Sequence, residues 1–166
     1  YYYNIVMCEN YKNDTFKIRS LNISDYTSGY FELLHQITGD ETTLSQTQFE
    51  QFVQNLGEDH VVAIIISVTR KKIVGTISII IEPKLIHNGC NVAHFEDIIV
   101  HTDFRCCGIG KMLIDFAVDY STFRGCNSIV ADCSSHNTGF FSACGFIPNG
   151  TRMTQCIDPN INIWLK

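Results

Sequence analysis

Apolar and polar residues alternate along parts of this chain and predict strands, while apolar positions at helical spacing predict helices. Two runs rich in β-branched residues, Val61–Thr69 and Ile73–Glu82, flank a basic tripeptide and predict a β-hairpin with a solvated turn. Further strands are predicted at Phe16–Leu21, Ala93–His101, Ile129–Cys133, Phe146–Ile147 and Met153–Leu165. Helices are predicted from Ser24 to about Gln36, from Ser45 to Gly57, from Gly108 to Phe123 and from Asn137 to Cys144.

The second of these helices carries the most specific start signal. Ser45 is followed three residues later by Gln48, which is the spacing of a capping box. The inward face of this helix is expected to consist of Phe49, Phe52, Val53 and Leu56.

The order of elements predicts the fold class. Strands and helices follow one another as β-α-α-β-β-β-α-β-α-β-β, which combines a meander with a crossover. We therefore expect an α/β sandwich around one mixed, mainly antiparallel sheet. The length of 166 residues and the apolar content of 45% suit a single domain at 16–166, with 1–15 as a loosely ordered leader.

The charge balance excludes some partners. A net charge of −5 and a pI near 5.6 argue against nucleic acid or an anionic membrane, because both require a clustered basic surface. No apolar run reaches the ~18 residues of a membrane span. Tyr1–Asn10 lacks the pattern of a secretory signal, so a cytoplasmic location is expected. The first residue is not Met, which leaves open a segment upstream.

Eight cysteines raise the question of disulfides or metal. They lie within apolar strand and helix patterns, and neither a Cys-x2-Cys pair nor a His-x3-His pair occurs. We expect small, buried or half-buried thiols in a reducing compartment and no metal site.

The segment from Glu96 to Lys111 carries the main candidate chemistry. Its residues predict a strand, a turn containing Gly108 and Gly110, and a helix start. Backbone N–H groups at such a turn can bind phosphate. The bare pattern fits equally well a helix N-terminus at which the glycines serve only the conformation of the turn. A second constellation, Asp132 to Phe146, has the length to lie beside the first and favours the binding site.

These two motifs resemble the acetyl-CoA site of the GNAT superfamily of N-acetyltransferases. The motifs are Arg105-x-x-Gly108-x-Gly110-Lys111 and Asn137-x-x-Phe140-Phe141-x-x-x-Gly145-Phe146. Within the superfamily, the chain resembles the eukaryotic enzymes that acetylate glucosamine 6-phosphate. That likeness includes Gln36-Ile37-Thr38, Glu82-x-Lys84-x-Ile86-His87, Glu96-Asp97-Ile98 and Asp132-Cys133.

The resemblance implies a direct acetyl transfer from acetyl-CoA to the 2-amino group of glucosamine 6-phosphate, a step toward UDP-N-acetylglucosamine. It implies a homodimer and neither a metal nor a covalent intermediate. The implied catalytic positions are Asp132 and Ala131, which orient and deprotonate the amine, and Ile98, whose N–H polarises the thioester. The implied sugar-binding positions are Thr38, Glu96 and Asp97. The implied coenzyme-binding positions are Ile98, Ile99, Val100, Arg105, Cys106, Cys107, Gly108, Ile109, Gly110, Lys111, Asn137, Phe140 and Phe141.

Several residues depart from the family pattern. Phe141 stands where family members usually have a tyrosine that protonates the departing thiolate, and Cys106 stands where glycine is common. Ser128 and Cys156 replace basic residues that the family presents to the sugar phosphate, and the candidates to replace them are Arg152, Lys84 and Lys166. Two alternatives therefore remain open: an acetyltransferase for another primary amine, and a non-catalytic acetyl-CoA-binding module.

Overall fold

A computed structural model describes residues 3–4, 14–39 and 44–153 of the chain. The side chains of residues 3, 4, 37, 38 and 87 lie outside this description. Backbone contacts divide the chain into two compact units, 1–131 and 132–166. Among the described residues, the first contains the sheet and three α-helices, and the second contains one short α-helix.

One six-stranded sheet forms the centre of the first unit. Its strands are β1 (Tyr3–Asn4), β2 (Phe16–Ser20), β3 (His60–Ser67), β4 (Lys72–Pro83), β5 (Asn91–Val100) and β6 (Cys126–Ala131). They lie in the sheet in chain order, and every neighbouring pair is antiparallel except β5 and β6, which are parallel. The predicted mixed, mainly antiparallel sheet is confirmed.

Four α-helices accompany the strands in the described residues. They are α1 (Tyr30–Thr38), α2 (Gln46–Asn55), α3 (Ile109–Phe123) and, in the second unit, α4 (Thr138–Ala143). The predicted capping box of α2 is confirmed, because the Gln48 N–H donates to Ser45 Oγ at 3.3 Å and the Ser45 N–H donates to Gln48 Oε1 at 2.9 Å. Helix α3 is the crossover that parallel strands require, and it connects β5 to β6.

The helix predicted from Ser24 to Gln36 is wrong in its first half. Residues Ile23–Thr27 form a separate 3-10 helix, which Asn22 caps. The Asp25 carboxylate is buried there, accepts the Asn22 N–H at 2.8 Å and pairs with Arg19 at 2.6 Å. Gly29 then takes φ +85°, a left-handed conformation that interrupts a helix and that glycine adopts without steric cost.

Other boundaries also differ from the predictions. Strand β6 begins at Cys126 and ends at Ala131, so Asp132 follows the strand instead of lying within it. Phe146 and Ile147 lie outside any strand, and the strand predicted at Met153–Leu165 falls outside the described residues from position 154 onward. Phe52 is partly exposed and contacts the His60 ring, with centroids 6.1 Å apart, because it lies at the rim of the face that Phe49 buries.

Apolar side chains cover both faces of the sheet. On one face, α1 and α2 enclose a core cluster of Leu21, Tyr30, Leu33, Phe49, Val62, Ile64, Ile73 and Ile99. On the other face, α3 lies so close to β4 that a Cβ on Gly75 would stand 3.0 Å from Ile109 Cγ2 and 3.3 Å from Leu113 Cδ1. The absence of a side chain at position 75 therefore sets the distance between the sheet and the first turn of α3.

We predict that Gly75→Ala lowers the free energy of unfolding by about 1–3 kcal/mol, the usual cost of overpacking a filled core. Ile109 and Leu113 are fully buried and have no room to move away. Urea denaturation measures the change. Gly57→Ala is the matched control, because nothing lies within 4 Å of a Cβ at that position. Equal stability of the two variants would show that α3 does not depend on Gly75.

Candidate active site

A β-bulge divides β5 in the middle of the candidate site. Thr76 pairs with Ile99 and Ser78 pairs with Glu96, so Asp97 and Ile98 together oppose one residue of β4. Asp97 adopts φ +50°, which is uncommon for a residue other than glycine. Bulges of this kind redirect a side chain and change the backbone direction beside functional sites. The bulge thus presents the exposed Asp97 carboxylate at the point where the strand changes direction.

The second half of β5 has an open edge. Pairing between β5 and β6 stops at Phe95 and Ala131, so among the described strands residues 96–100 pair only with β4. The His101 N–H donates to the Val74 carbonyl of β4 at 2.9 Å. Because N–H directions alternate along a regular strand, the Val100 N–H group points away from β4. It is a donor at the edge that β6 leaves uncovered, and Ile98 lies in the bulge just before it.

The turn before α3 is built from left-handed residues. Cys106 has φ +59° and Gly108, the N-cap of α3, has φ +80°. The Met112 N–H donates to the Gly108 carbonyl at 3.0 Å, so Gly108 begins the hydrogen-bond pattern of α3. The first turn stands at the positive end of a 15-residue helix, where backbone N–H groups can bind an anion.

Side chains connect this turn to β5. Arg105 Nε donates to the Val100 carbonyl at 3.3 Å, so the turn lies against the open edge of the strand. The Cys107 thiol is buried and donates to the Arg105 carbonyl at 3.3 Å. Lys111 pairs with Asp115 on the next turn of the helix at 2.5 Å. That pair is exposed and contributes little stability, so an incoming phosphate can replace the Asp115 carboxylate.

The last turn of α1 reaches the end of the same strand. Gln36 Oε1 accepts the Thr102 N–H at 2.9 Å, which fixes the C-terminus of α1 beside the residues that follow β5. Thr38 is the final residue of α1, and Gly39 ends the helix with φ +67°. The side chain of Thr38, the predicted sugar-phosphate neighbour, lies outside the described part of the structure.

A buried pair of hydroxyl groups lies behind the bulge, and sequence reasoning missed its role. Tyr30 is 7% exposed, packs against Phe49 with centroids 6.0 Å apart, and hydrogen-bonds Thr76. The Thr76 hydroxyl donates to the Ala63 carbonyl at 3.1 Å. Burial raises the pKa of Tyr30 to about 12, and the negative charge of Asp97 adds to that increase. In the sequence, the hydroxyl group is the one feature that distinguishes Tyr30 from an ordinary apolar position of a helix.

The second unit contains the other predicted residues. Asp132 Oδ2 lies 3.1 Å from Arg152 Nη1, a contact that sequence spacing did not indicate. Asn137 precedes α4 as its N-cap and is exposed. Phe141 is buried and packs edge-on against Phe140 and Phe146, with centroid distances of 5.3 and 5.4 Å. The ring at position 141 therefore helps to hold α4 together and offers no hydroxyl.

The structure groups the predicted residues into two sets. In the first unit, the bulge, the open edge of β5 and the turn Arg105–Lys111 before α3, here called the anion turn, lie along one continuous segment of the chain. The end of β6 at Ala131 pairs with Phe95, the neighbour of Glu96. In the second unit, Asp132 directly follows Ala131 in the chain and pairs with Arg152. Among the described residues, no group of three or more His, Cys, Asp or Glu side chains is arranged to hold a metal ion.

Comparison with known proteins places these features in a family. The family model described as "Acetyltransferase (GNAT) family" matches residues 20–146. A glucosamine 6-phosphate N-acetyltransferase of Arabidopsis thaliana is 35% identical over 148 residues, which cover 87% of this chain and 99% of the relative. A glucosamine 6-phosphate N-acetyltransferase 1 of Dictyostelium discoideum is 30% identical over 145 residues, or 86% of this chain and 91% of the relative.

Solved structures agree with the sequence matches. The crystal structure of the Arabidopsis thaliana enzyme superposes with a TM-score of 0.83 over 87% of this chain and 99% of that chain, at 35% identity. A Trypanosoma brucei acetyltransferase superposes with a TM-score of 0.76 over 86% of this chain and 99% of that chain, at 28% identity. The chain belongs to the GNAT family of acetyltransferases. Membership implies acetyl-CoA as the co-substrate.

We predict that Tyr30→Phe changes how stability depends on pH. A folded-state pKa of about 12, above the ordinary 10.0, keeps Tyr30 protonated in the folded protein while the unfolded chain ionises. The resulting stabilisation is present below pH 10 and is lost as the pH rises toward 12. Between pH 9 and pH 11.5 the unfolding free energy of the wild type should therefore fall by roughly 2 kcal/mol more than that of the variant. Urea unfolding at these two pH values measures the difference.

The control for this prediction is Tyr26→Phe. It removes one hydroxyl from the same aromatic cluster, where that group donates to the Leu44 carbonyl at 3.2 Å in an exposed position. This variant should follow the wild-type pH dependence. If Tyr30→Phe also follows the wild type, the hydroxyl of Tyr30 is not held protonated by its surroundings.

Proposed function

We propose that this protein transfers the acetyl group of acetyl-CoA to the 2-amino group of glucosamine 6-phosphate within a ternary complex, and thereby feeds UDP-N-acetylglucosamine synthesis. The similarity to the Arabidopsis thaliana glucosamine 6-phosphate N-acetyltransferase, 35% identity over 87% of the chain, carries the proposal. The open edge of β5 and the anion turn before α3 support it, because a thioester carbonyl and a pyrophosphate both need hydrogen-bond donors.

In this proposal, coenzyme A binds along the segment from β5 to α3. The pyrophosphate accepts hydrogen bonds from the N–H groups of the turn at Arg105–Lys111, and the side chains at its two ends add positive charge. The pantetheine arm follows the open edge, where the Ile98 or Val100 N–H donates to the thioester oxygen. That donor gains strength as the oxygen becomes an oxyanion in the tetrahedral intermediate. Asn137, Phe140 and the other predicted positions contact the coenzyme.

The amine must lose a proton to become a nucleophile. The Asp132 carboxylate and the Ala131 carbonyl orient the amino group, and Asp132 accepts its proton. Glu96 and Asp97 hold the sugar hydroxyls at the bulge, and Thr38 lies near the sugar phosphate. Holding amine and thioester together contributes much of the rate, because a bimolecular reaction becomes effectively unimolecular.

The coenzyme A thiolate leaves without a tyrosine at position 141. Free thiols have a pKa of about 8.5, so a thiolate is a tolerable leaving group near neutral pH and water can protonate it afterwards. The buried Phe141 ring contributes packing to α4. The reaction therefore proceeds without a side-chain acid at that position, at some cost in rate.

A cytoplasmic homodimer is part of the proposal. No helix in the described parts of the chain has the length and apolarity needed to cross a membrane. Ile80, His94 and Val130 are register neighbours on three strands and therefore lie on one face of the sheet, where Ile80 is 37% and Val130 46% exposed. A second copy of the chain would cover these aliphatic side chains. In analytical ultracentrifugation the wild type should sediment as a dimer and Val130→Asp as a monomer. If both sediment as monomers, this arrangement is contradicted.

A thiol-release assay with acetyl-CoA tests the proposed reaction. We expect rapid turnover with glucosamine 6-phosphate and much slower turnover with glucosamine. Turnover with another primary amine alone would support a different acetyltransferase, and binding of coenzyme A without turnover on any amine would support a non-catalytic module.

The role of Asp132 is tested in the same assay with Asp132→Asn, which keeps the shape and removes the base. General-base catalysis contributes roughly 10²–10⁴-fold, so kcat should fall by about that factor while the Kd of coenzyme A stays unchanged. Full activity of Asp132→Asn would assign the base elsewhere.

A further inference from the structure

The carboxylate proposed as the base is already engaged in an ion pair. Arg152 Nη1 lies 3.1 Å from Asp132 Oδ2, and the two side chains are 43% and 38% exposed. Arg152 is the one Lys or Arg among residues 132–153, the described part of the second unit. The Arg152 guanidinium is therefore paired with the Asp132 carboxylate, the group that must receive the substrate amine.

This contact competes with the reaction. An amino sugar arrives at neutral pH largely as its ammonium form, and the ammonium and the guanidinium need the same carboxylate oxygens. The pair is exposed, and exposed ion pairs contribute little to stability, so exchanging one cation for another costs little.

We propose that Arg152 is a specificity-determining residue that leaves Asp132 when substrate binds and pairs instead with the phosphate of the amino-sugar phosphate. The exchange conserves charge: the substrate ammonium replaces the guanidinium at Asp132, and the substrate phosphate replaces the carboxylate at Arg152. The inference rests on the function proposed above, with Asp132 as the amine-binding base.

The chemistry of the two groups favours this exchange. A guanidinium presents a planar fork of N–H donors that matches phosphate oxygens, and the contact is charge-assisted on both sides. A substrate that carries both an ammonium and a phosphate satisfies both partners. Glucosamine has no phosphate. Its ammonium group would displace Arg152 from Asp132, and the displaced guanidinium would then exchange a carboxylate for water. The ion pair of the free protein thereby selects for the phosphorylated amine.

Steady-state kinetics of Arg152→Gln with two substrates test the proposal. With glucosamine 6-phosphate, the variant should show a KM raised roughly 10- to 100-fold, the usual value of a hydrogen bond to a charged group, and kcat within about twofold of wild type. With glucosamine, kcat/KM should not fall, because the competing cation is gone. Arg152→Lys keeps the positive charge but lacks the planar set of guanidinium N–H donors, so its KM for glucosamine 6-phosphate should lie between those of the wild type and Arg152→Gln.

Lys17→Gln is the matched control, since it removes one positive charge from an exposed position on β2 and should leave all constants unchanged. An equal loss of kcat/KM on both substrates would overturn the proposal and assign Arg152 a role in holding Asp132. An unchanged preference for the phosphorylated sugar in Arg152→Gln would overturn it as well. If the wild type lacks turnover with glucosamine 6-phosphate, the proposed function itself fails, and this inference fails with it.

Discussion

The left-handed conformation of Asp97 is the constraint on which the first unit depends. A residue with a Cβ at φ +50° costs on the order of 1 kcal/mol, and the surrounding structure must hold it there. The side chains behind the bulge provide this support: Tyr30 and Ile99 belong to one buried cluster, and Thr76 fastens β4 to β3 through the Ala63 carbonyl. The hydrophobic core and the acidic pair Glu96–Asp97 at the bulge are thus parts of one arrangement.

The same strand determines where an anion can bind. Arg105 contacts the Val100 carbonyl, and the missing side chain at Gly75 lets Ile109 approach β4. The N-terminus of α3 is consequently fixed against the sheet from two directions. The fold holds backbone N–H groups of the turn and of the strand edge in one segment, so the proposed coenzyme site would need little reorganisation to receive its ligand.

Local sequence signals predicted the elements whose geometry is local. The hairpin of β3 and β4, the capping box at Ser45 and the start of α3 at Gly108 each depend on residues close together in the chain, and each is confirmed. The break at Gly29 was missed because the apolar spacing continues across it. The bulge at Asp97 was missed because it arises from pairing with β4, and the Asp132–Arg152 contact was missed because the two residues are twenty positions apart.

The sheet order bears on how this molecule folds. Each strand lies beside its neighbours in the sequence, and the pairs β3–β4 and β4–β5 close short loops, which keeps their entropic cost low. The pair β2–β3 encloses α1 and α2, and the parallel pair β5–β6 encloses the crossover through α3. Pairing of the strand that ends at Ala131 with β5 therefore closes a loop that contains both the anion turn and α3, so the last pairing of the sheet and the coenzyme half of the proposed site are joined in one covalent loop.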